Sequence, residues 1–588
     1  MRADSHGSAG ILPAVTPASR RREASPAGSR RNGRLEGGAP LAILLFLAAT
    51  AAQAQVVESI EVRVTSVDVV VTDRDGKPVT GLTKDDFELY ENGAPQTITN
   101  FYAVERSATS ATATAGKDAD DAAGGPSPEQ RKRRIVFFID NESLEPARRN
   151  RFISVLDHEI ARLVQPGDEA TVIVWNHRVV AMQPFTSDVA ALQASLREQS
   201  KRAGNSGLAS AKSMLRSHVF KLVEAAKETP VLGMGFYNQA LDVVTAWAEE
   251  VFAAKQRILN GLAATISRMA GVEGKKVLVF ATGEMPEHTG IETYEWVEQI
   301  FRPVVPNIPI GQARIDSSSR SLTRDLQKLA REANADGVTM YLIDAAGALK
   351  TGMETKEEPI TTIEFLERAN TYNALQMIAN ITGGAALTGS DNFKSAIDTI
   401  VHDLDVYYSL GYRPAGDDEG DRHVTVKVKR PGLVVRSRRS WAPKSAVEQM
   451  EDRVIANVFH SGITGDFSIE LTMRGEPEKT DRGLIMLPLR VTIPPTITLL
   501  PDGPDVAGGF SVYVVVGGQN GELSSVARTD HSIRVSAAQE KETRSTPYTW
   551  DVNLTVRPGP STLSIAVVDR ISNQTAFTRK IVNPGGTK

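Results

Sequence analysis

The chain of 588 residues has no cysteine. That absence excludes disulfides, thiolate catalysis, cysteine-ligated zinc and a lipid-bearing cysteine anchor. An excess of one charge sign is missing too: 67 Lys and Arg face 71 Asp and Glu, a net charge of −4. So small an imbalance makes neither nucleic acid nor a membrane surface the default partner. The enzyme signatures His-Glu-x-x-His, Walker-type phosphate loop and Gly-x-Ser-x-Gly do not occur. Asp157-His158-Glu159 lies on a helical pattern, where His158 reads as a surface residue. Gly204-Asn205-Ser206-Gly207 reads as a loop rather than a nucleophile elbow. No enzyme is expected.

What is present is ordinary globular material: 41% hydrophobic and 23% charged residues, long enough for several domains. The N-terminal region carries Arg20, Arg21, Arg22, Arg30, Arg31 and Arg34, then an apolar run over 41–52. That run is short of the ~20 residues a bilayer-spanning helix needs. Ala52-Gln53-Ala54 then offers a small-residue cleavage site. In this order the three features predict a signal peptide over 1–54, export to the periplasm or beyond, and no transmembrane span in the mature chain.

Residues 55–104 read as β. Ile60, Val62 and Val64 alternate with polar residues, and Val67, Val69 and Val71 alternate in the other phase. Asn92-Gly93 between Leu89 and Ile98 is a hairpin signal. Residues 105–133 lose all periodicity and read as a flexible linker. From 134 to 404 apolar strands alternate with amphipathic helices, which predicts a mostly parallel sheet with right-handed crossovers. One long helix, or two broken near Lys255, is expected over 237–269. Residues 203–234 show a less clear pattern and are expected to form an insertion, and 285–320 read as loop-rich. Short alternating strands return over 405–441. A helical connector follows over 442–459, and six or seven strands over 460–588 suggest a sandwich. Each short β segment is too small to hold a core alone. Residues 55–104 and 405–441 are therefore expected to pair into one sandwich, with the α/β domain inserted between them.

The central strand is the apolar run 135–139, which suits burial on both faces of a parallel sheet. It ends in Asp140, Asn141, Glu142 and Ser143. Ligands of open α/β sheets bind outside the carboxyl ends of the strands, so these oxygens stand where a site belongs.

Two further runs are distinctive. One is Gly76-Lys77-Pro78-Val79-Thr80-Gly81-Leu82-Thr83-Lys84-Asp85-Asp86-Phe87, with Asn92-Gly93. The other is Tyr407-Tyr408-Ser409-Leu410-Gly411-Tyr412-Arg413-Pro414, followed by Val426-Lys427-Val428-Lys429-Arg430-Pro431-Gly432-Leu433. With them, the chain is similar over 57–441 to the VWFA-related family abundant in Acidobacteria. Residues 134–404 resemble its von Willebrand factor A domain. The resemblance implies a multidomain protein: a central Rossmann-like α/β domain, flanked by β-sandwich regions, in a secreted or periplasmic binding protein.

It also implies a metal-ion-dependent adhesion site, built from Asp-x-Ser-x-Ser, a middle-loop Thr and an Asp after the fourth strand. Here Asp140 matches the first position, Glu142 replaces the first Ser and Leu144 the second. The middle-loop Thr falls near Gly235, and Ala281-Thr282-Gly283-Glu284 replaces the expected Thr-Asp-Gly. The expected ligands of this degenerate site are Asp140, Glu142, Ser143 and Glu284, holding Mg²⁺ or another divalent cation through waters. Asp140 and Ser143 equally suit a cap on the following helix. The basic residues Lys427, Lys429, Arg430, Arg436, Arg438 and Arg439 read as a solvated strand face, not a nucleic-acid site.

The expected function is protein–protein binding or adhesion outside the cytoplasm through the rim around Asp140, with an unknown protein ligand. The alternatives are a structural or assembly module of the envelope and, more weakly, a secreted hydrolase using Asp140 and Glu142.

Overall fold

The computed structural model describes residues 65–106, 132–202, 207–309, 311, 318–347, 360–414, 420–460, 462–518 and 522–584. The expected signal peptide lies outside these residues. So do the first residues of the N-terminal β region and all but the ends of the expected linker.

Among the described residues, β1 (Thr65–Thr72), β2 (Phe87–Glu91), β3 (Ala94–Gln96) and β4 (Ile98–Glu105) come first. A strand–helix series follows. It comprises β5 (Arg133–Asp140), α1 (Pro146–Leu163), β6 (Glu169–Trp175), β7 (Val179–Ala181), α2 (Val189–Lys201), α3 (Gly207–Glu228), α4 (Gly233–Ala270) and β8 (Lys275–Thr282). It continues through α5 (Ile291–Phe301), α6 (Thr323–Ala335), β9 (Val338–Asp344), α7 (Ile360–Thr382), β10 (Ala385–Leu387) and α8 (Phe393–Asp405).

These strands form one sheet in the order β10-β9-β8-β5-β6-β7. The first five run parallel and β7 closes the edge antiparallel. β5 is buried along its whole length because helices cover both faces. Its period-2 alternation sorts the side chains. Ile135, Phe137 and Ile139 face Phe152 and Leu156 of α1 and Phe393 and Ile397 of α8. Val136 and Phe138 face Ile258 and Leu262 of α4, Leu326 of α6 and Ile378 of α7.

α4 is one unbroken helix of 38 residues, about 57 Å long at 1.5 Å per residue. Its C-terminal half lies on the sheet. Its N-terminal half joins α3 and α5 in a helical projection with a separate core that includes Val219, Tyr237, Trp247, Tyr294 and Phe301. Lys255 does not break α4. It is buried, and its ammonium donates to the Glu284 carbonyl at 2.7 Å. Residues 203–234, expected as an insertion, thus contain α3, and the loop-rich stretch contains α5.

α8 runs without a gap into β11 (Val406–Tyr412); β12 (Arg422–Val428), β13 (Val434–Ser437) and β14 (Ser440–Trp441) follow. Two four-stranded sheets result, β13-β1-β11-β4 and β14-β12-β2-β3. Each takes strands from before and after the α/β domain. Val67, Val69, Phe87, Leu89, Leu410 and Val424 share their core. The two distinctive runs meet here. The Tyr408 hydroxyl donates to Val79 O at 2.8 Å and accepts from Leu82 N at 3.2 Å, pinning the loop 76–82 to β11. The Tyr412 hydroxyl donates to Glu91 at 3.0 Å and accepts from Trp441 Nε1 at 2.8 Å. Asn92 and Gly93 both take positive φ, 50° and 82°, as the turn between β2 and β3 requires.

Helix α9 (Ala446–Phe459) leads to the C-terminal strands: β15 (Glu470–Met473), β16 (Glu478–Lys479), β17 (Ile485–Ile493), β18 (Leu499–Asp502), β19 (Asp505–Gly518), β20 (Ala527–Ser536), β21 (Tyr548–Val556), β22 (Ser561–Asp569) and β23 (Thr575–Val582). They form two antiparallel sheets around one core. α9 is wedged between this sandwich and the α/β domain. Met450, Val454 and Val458 pack on Tyr513, Val515 and Ala566, and Gly271 at the end of α4 abuts the Asp452 backbone. Among the described residues, no helix is long and apolar enough to cross a membrane.

Candidate functional site

The strand order reverses between β5 and β8, and the carboxyl ends of two such strands are where an open α/β sheet places its ligand crevice. Asp140 closes β5 and Thr282 closes β8. Asp140 Oδ1 accepts the backbone N–H groups of Glu142 at 3.1 Å and Ser143 at 3.3 Å. Asp140 Oδ2 accepts the Ser143 hydroxyl, and the Thr282 hydroxyl at 2.8 Å. Ser143 Oγ and Thr282 Oγ1 lie 3.0 Å apart, and Gly283 N donates to Ser143 Oγ at 2.9 Å. The two loops touch so closely that a Cβ on Gly283 would stand 2.3 Å from the Ser143 carbonyl oxygen. Only glycine permits that approach.

Of the four expected ligands, the structure brings Asp140 and Ser143 together. Glu142 is engaged at the end of β6. Its carboxylate accepts Trp175 Nε1 at 2.7 Å and His177 N at 3.0 Å, and it pairs with the His177 imidazole. His177 adopts a positive φ of 56° in the β6–β7 turn.

Glu284 belongs to a second cluster, at the base of the helical projection. Lys212 of α3 stands 2.9 Å from Glu367 of α7 and 3.7 Å from Glu292 of α5. Burial draws the Lys212 ammonium down, but Glu284, Glu292 and Glu367 outweigh it and hold the amine above its ordinary value. Burial pushes the Glu292 carboxyl up to about 7; Lys212 opposes this, and Glu284 and Glu367 add to it. Lys212 is shared among three carboxylates, so its pull on Glu292 is diluted.

Gly235 lies in the first turn of α4, 20 residues before Lys255, or about 30 Å along the helix. It supplies nothing to the crevice. The residues that sequence reasoning left without a role are Thr282, Trp175 and His177. The signal for Thr282 was its place as the last residue of an apolar strand.

Asp140, Ser143 and Thr282 are an oxygen-only set, the donor type a hard cation takes. Both hydroxyls lie within hydrogen-bond distance of Asp140 Oδ2, so a cation bound there would have to turn their hydrogens away. One carboxylate faces the crevice where the sequence offers two or three. Among the described residues, no group of three or more His, Asp or Glu side chains is placed to hold a metal ion. Farther along the rim, Asp344 at the end of β9 is held by Ala346 N at 3.0 Å and faces Arg368 at 3.5 Å. Burial raises its carboxyl above the usual range against the pull of Arg368.

No protein-family model matches the chain, and no curated protein does. Among solved structures, the chain is similar to an aerotolerance-related membrane protein from Bacteroides fragilis: 12% identity over 46% of this chain and 98% of that one, at a TM-score of 0.22. It is similar to the pilus adhesin SpaC from Lactobacillus rhamnosus, with 9% identity, 87% and 58% coverage, and a TM-score of 0.24. It is also similar to the three N-terminal domains of a type V pili tip protein from Porphyromonas gingivalis, with 10% identity, 88% and 76% coverage, and a TM-score of 0.24. At such scores the likeness carries no argument about function.

Proposed function

We propose that residues 134–404 are a von Willebrand A-like domain inserted in the flanking sandwich. In this reading the exported chain binds another protein outside the cytoplasm, through the rim around Asp140. One observation carries it: the sheet order reverses at β5 and β8, where Asp140, Ser143 and Thr282 converge at the carboxyl ends of the two strands. A divalent cation such as Mg²⁺ would be held there by these three residues, rather than by Glu142 or Glu284, and would offer a partner carboxylate an open position. No catalysis is proposed; Glu142, the second half of an acid–base pair, is already bound by Trp175 and His177.

A second reading is favoured by the saturation of Asp140. All four of its donors come from its own chain, as in a structural cap. The α/β domain would then be a spacer between two sandwiches that bind neighbours. Pull-down from envelope extract with wild type and Asp140→Asn separates the two. Loss of one specific partner, together with Mg²⁺-dependent heat in calorimetry of the wild type, supports the rim. An identical set of partners and no heat would favour the spacer.

A further inference from the structure

The helical projection ends in an apolar point. α3 and α4 meet in the turn Pro230–Leu232. Val231 is 94% exposed there, Leu232 56% and Met234 40%. Between Glu228 and Asp242 there is no charged residue, in a chain that is 23% charged. The loop after α5 lies against the same turn: a Cβ on Gly233 would stand 3.0 Å from Val305 Cγ2. That loop is also free of charge from Pro303 to Pro309, and its Pro303, Pro306 and Pro309 are exposed. Two charge-free segments, remote in sequence, thus close one end of the molecule.

The point is held from below. Tyr237 and Phe301 meet edge to face with ring centroids 5.6 Å apart, in a core separate from that of the sheet. The backbone of the turn is partly closed as well. Leu232 N donates to Thr229 O at 3.0 Å, Gly233 N donates to Pro230 O, and Pro230 has no N–H to satisfy. Lys227 pairs with Glu224 at 2.7 Å, and the exposed Glu228 and Arg302 adjoin the two segments in sequence, so among the described residues both signs of charge are equally represented there.

A stable protein interface needs about 800 Å² from each partner and a polar rim. The exposed parts of Val231, Leu232 and Met234 fall well short of that area. A bilayer takes such side chains one at a time at the boundary of headgroups and acyl chains. A neutral base matches zwitterionic headgroups. The geometry points to the end of the α3–α4 hairpin as a membrane-contact tip, inserting Val231, Leu232 and Met234 into a zwitterionic phospholipid surface. This site is independent of the rim around Asp140.

The test is flotation of the full chain with phosphatidylcholine–phosphatidylethanolamine vesicles. The wild type should float equally in low and high salt. Val231→Asp with Leu232→Asp should lower the bound fraction about tenfold or more. Its melting temperature should be unchanged, because both side chains are exposed. Met214→Asp, exposed on the side of α3, should float like wild type. Independently, Leu232→Trp should shift its emission to the blue when vesicles are added. Failure of the wild type to float overturns the proposal, as do equal flotation of the double variant and an unshifted spectrum. Dimers that depend on Val231 and Leu232 in gel filtration, without flotation, would assign the tip to a second copy of the chain instead.

Discussion

Glu292 is buried on α5, and its carboxyl titrates near 7 instead of the ordinary 4.5. Burial is the first cause; the neighbouring Glu284 and Glu367 add to it. Below about 4.5 both folded and unfolded chains carry the proton. Between 4.5 and 7 only the folded chain does. Stability from this group is therefore full at low pH and is lost as pH rises towards 7, by on the order of 3 kcal/mol. Glu292→Gln removes the titration, so its stability relative to wild type should rise between pH 5 and 8 in urea unfolding followed by circular dichroism. Parallel curves for the two proteins would remove this account. The same scale shows what the sequence hid about the site. Asp140 and Ser143 are near neighbours after a strand, so their meeting was legible. Thr282 reaches them only through the pairing of β5 with β8. Glu142 and Glu284 have the right chemistry, but Trp175 and His177 take up the first and the Lys212 cluster surrounds the second.

Among the elements, β5 is the one on which the α/β domain depends. Both faces are covered, so Phe138→Asp would bury a carboxylate among Phe280, Leu262 and Ile378 without a partner. The cost is several kcal/mol, against a typical domain stability of about 5–15 kcal/mol. The variant should lose its helical circular dichroism at a clearly lower temperature than wild type; an unaltered melt would mean that β5 is not central. Strand identity was legible here because a continuous apolar run needs two covering layers. α4 was legible by its spacing, but Lys255 in its apolar face left open whether one helix or two would form. Its amine escapes that penalty by reaching the Glu284 carbonyl. α5 was hidden in a Pro-rich stretch, although Tyr294, Val297 and Phe301 recur at helical spacing.

Across the whole molecule, the flanking sandwich ties residues 65–105 to residues that follow the α/β domain. β11 lies between β1 and β4, so neither neighbour of β11 is adjacent to it in sequence. A chain starting at residue 132 would keep β11–β14 but lose β1–β4. Its remaining strands would present open edges and Tyr408, Leu410 and Val424 to water. Gel filtration should show that chain aggregating, and limited proteolysis should trim residues 406–441 first. A monodisperse product with a protected β11 would sink the interdependence. α9 couples the far side: Lys444 bridges Asp336 of the α/β domain and Asp452 of the helix, and Asn457 Nδ2 donates to Ser564 Oγ at 3.0 Å.

The sequence by itself determined the kinds of element and the change from β to alternating β/α and back. Those depend on local periodicity and on turn residues such as Asn92-Gly93, which act over a few positions. It also determined that oxygen-bearing side chains crowd the end of the central strand. Only the tertiary structure decided which of them face one another. Side-chain partners at a sheet edge follow from strand order and loop approach, and neither is encoded at any fixed spacing. Tertiary structure therefore brought Thr282 to Asp140 through the β5–β8 register, drew Glu284 into the Lys212 cluster, and set two charge-free segments some seventy residues apart at the same exposed end.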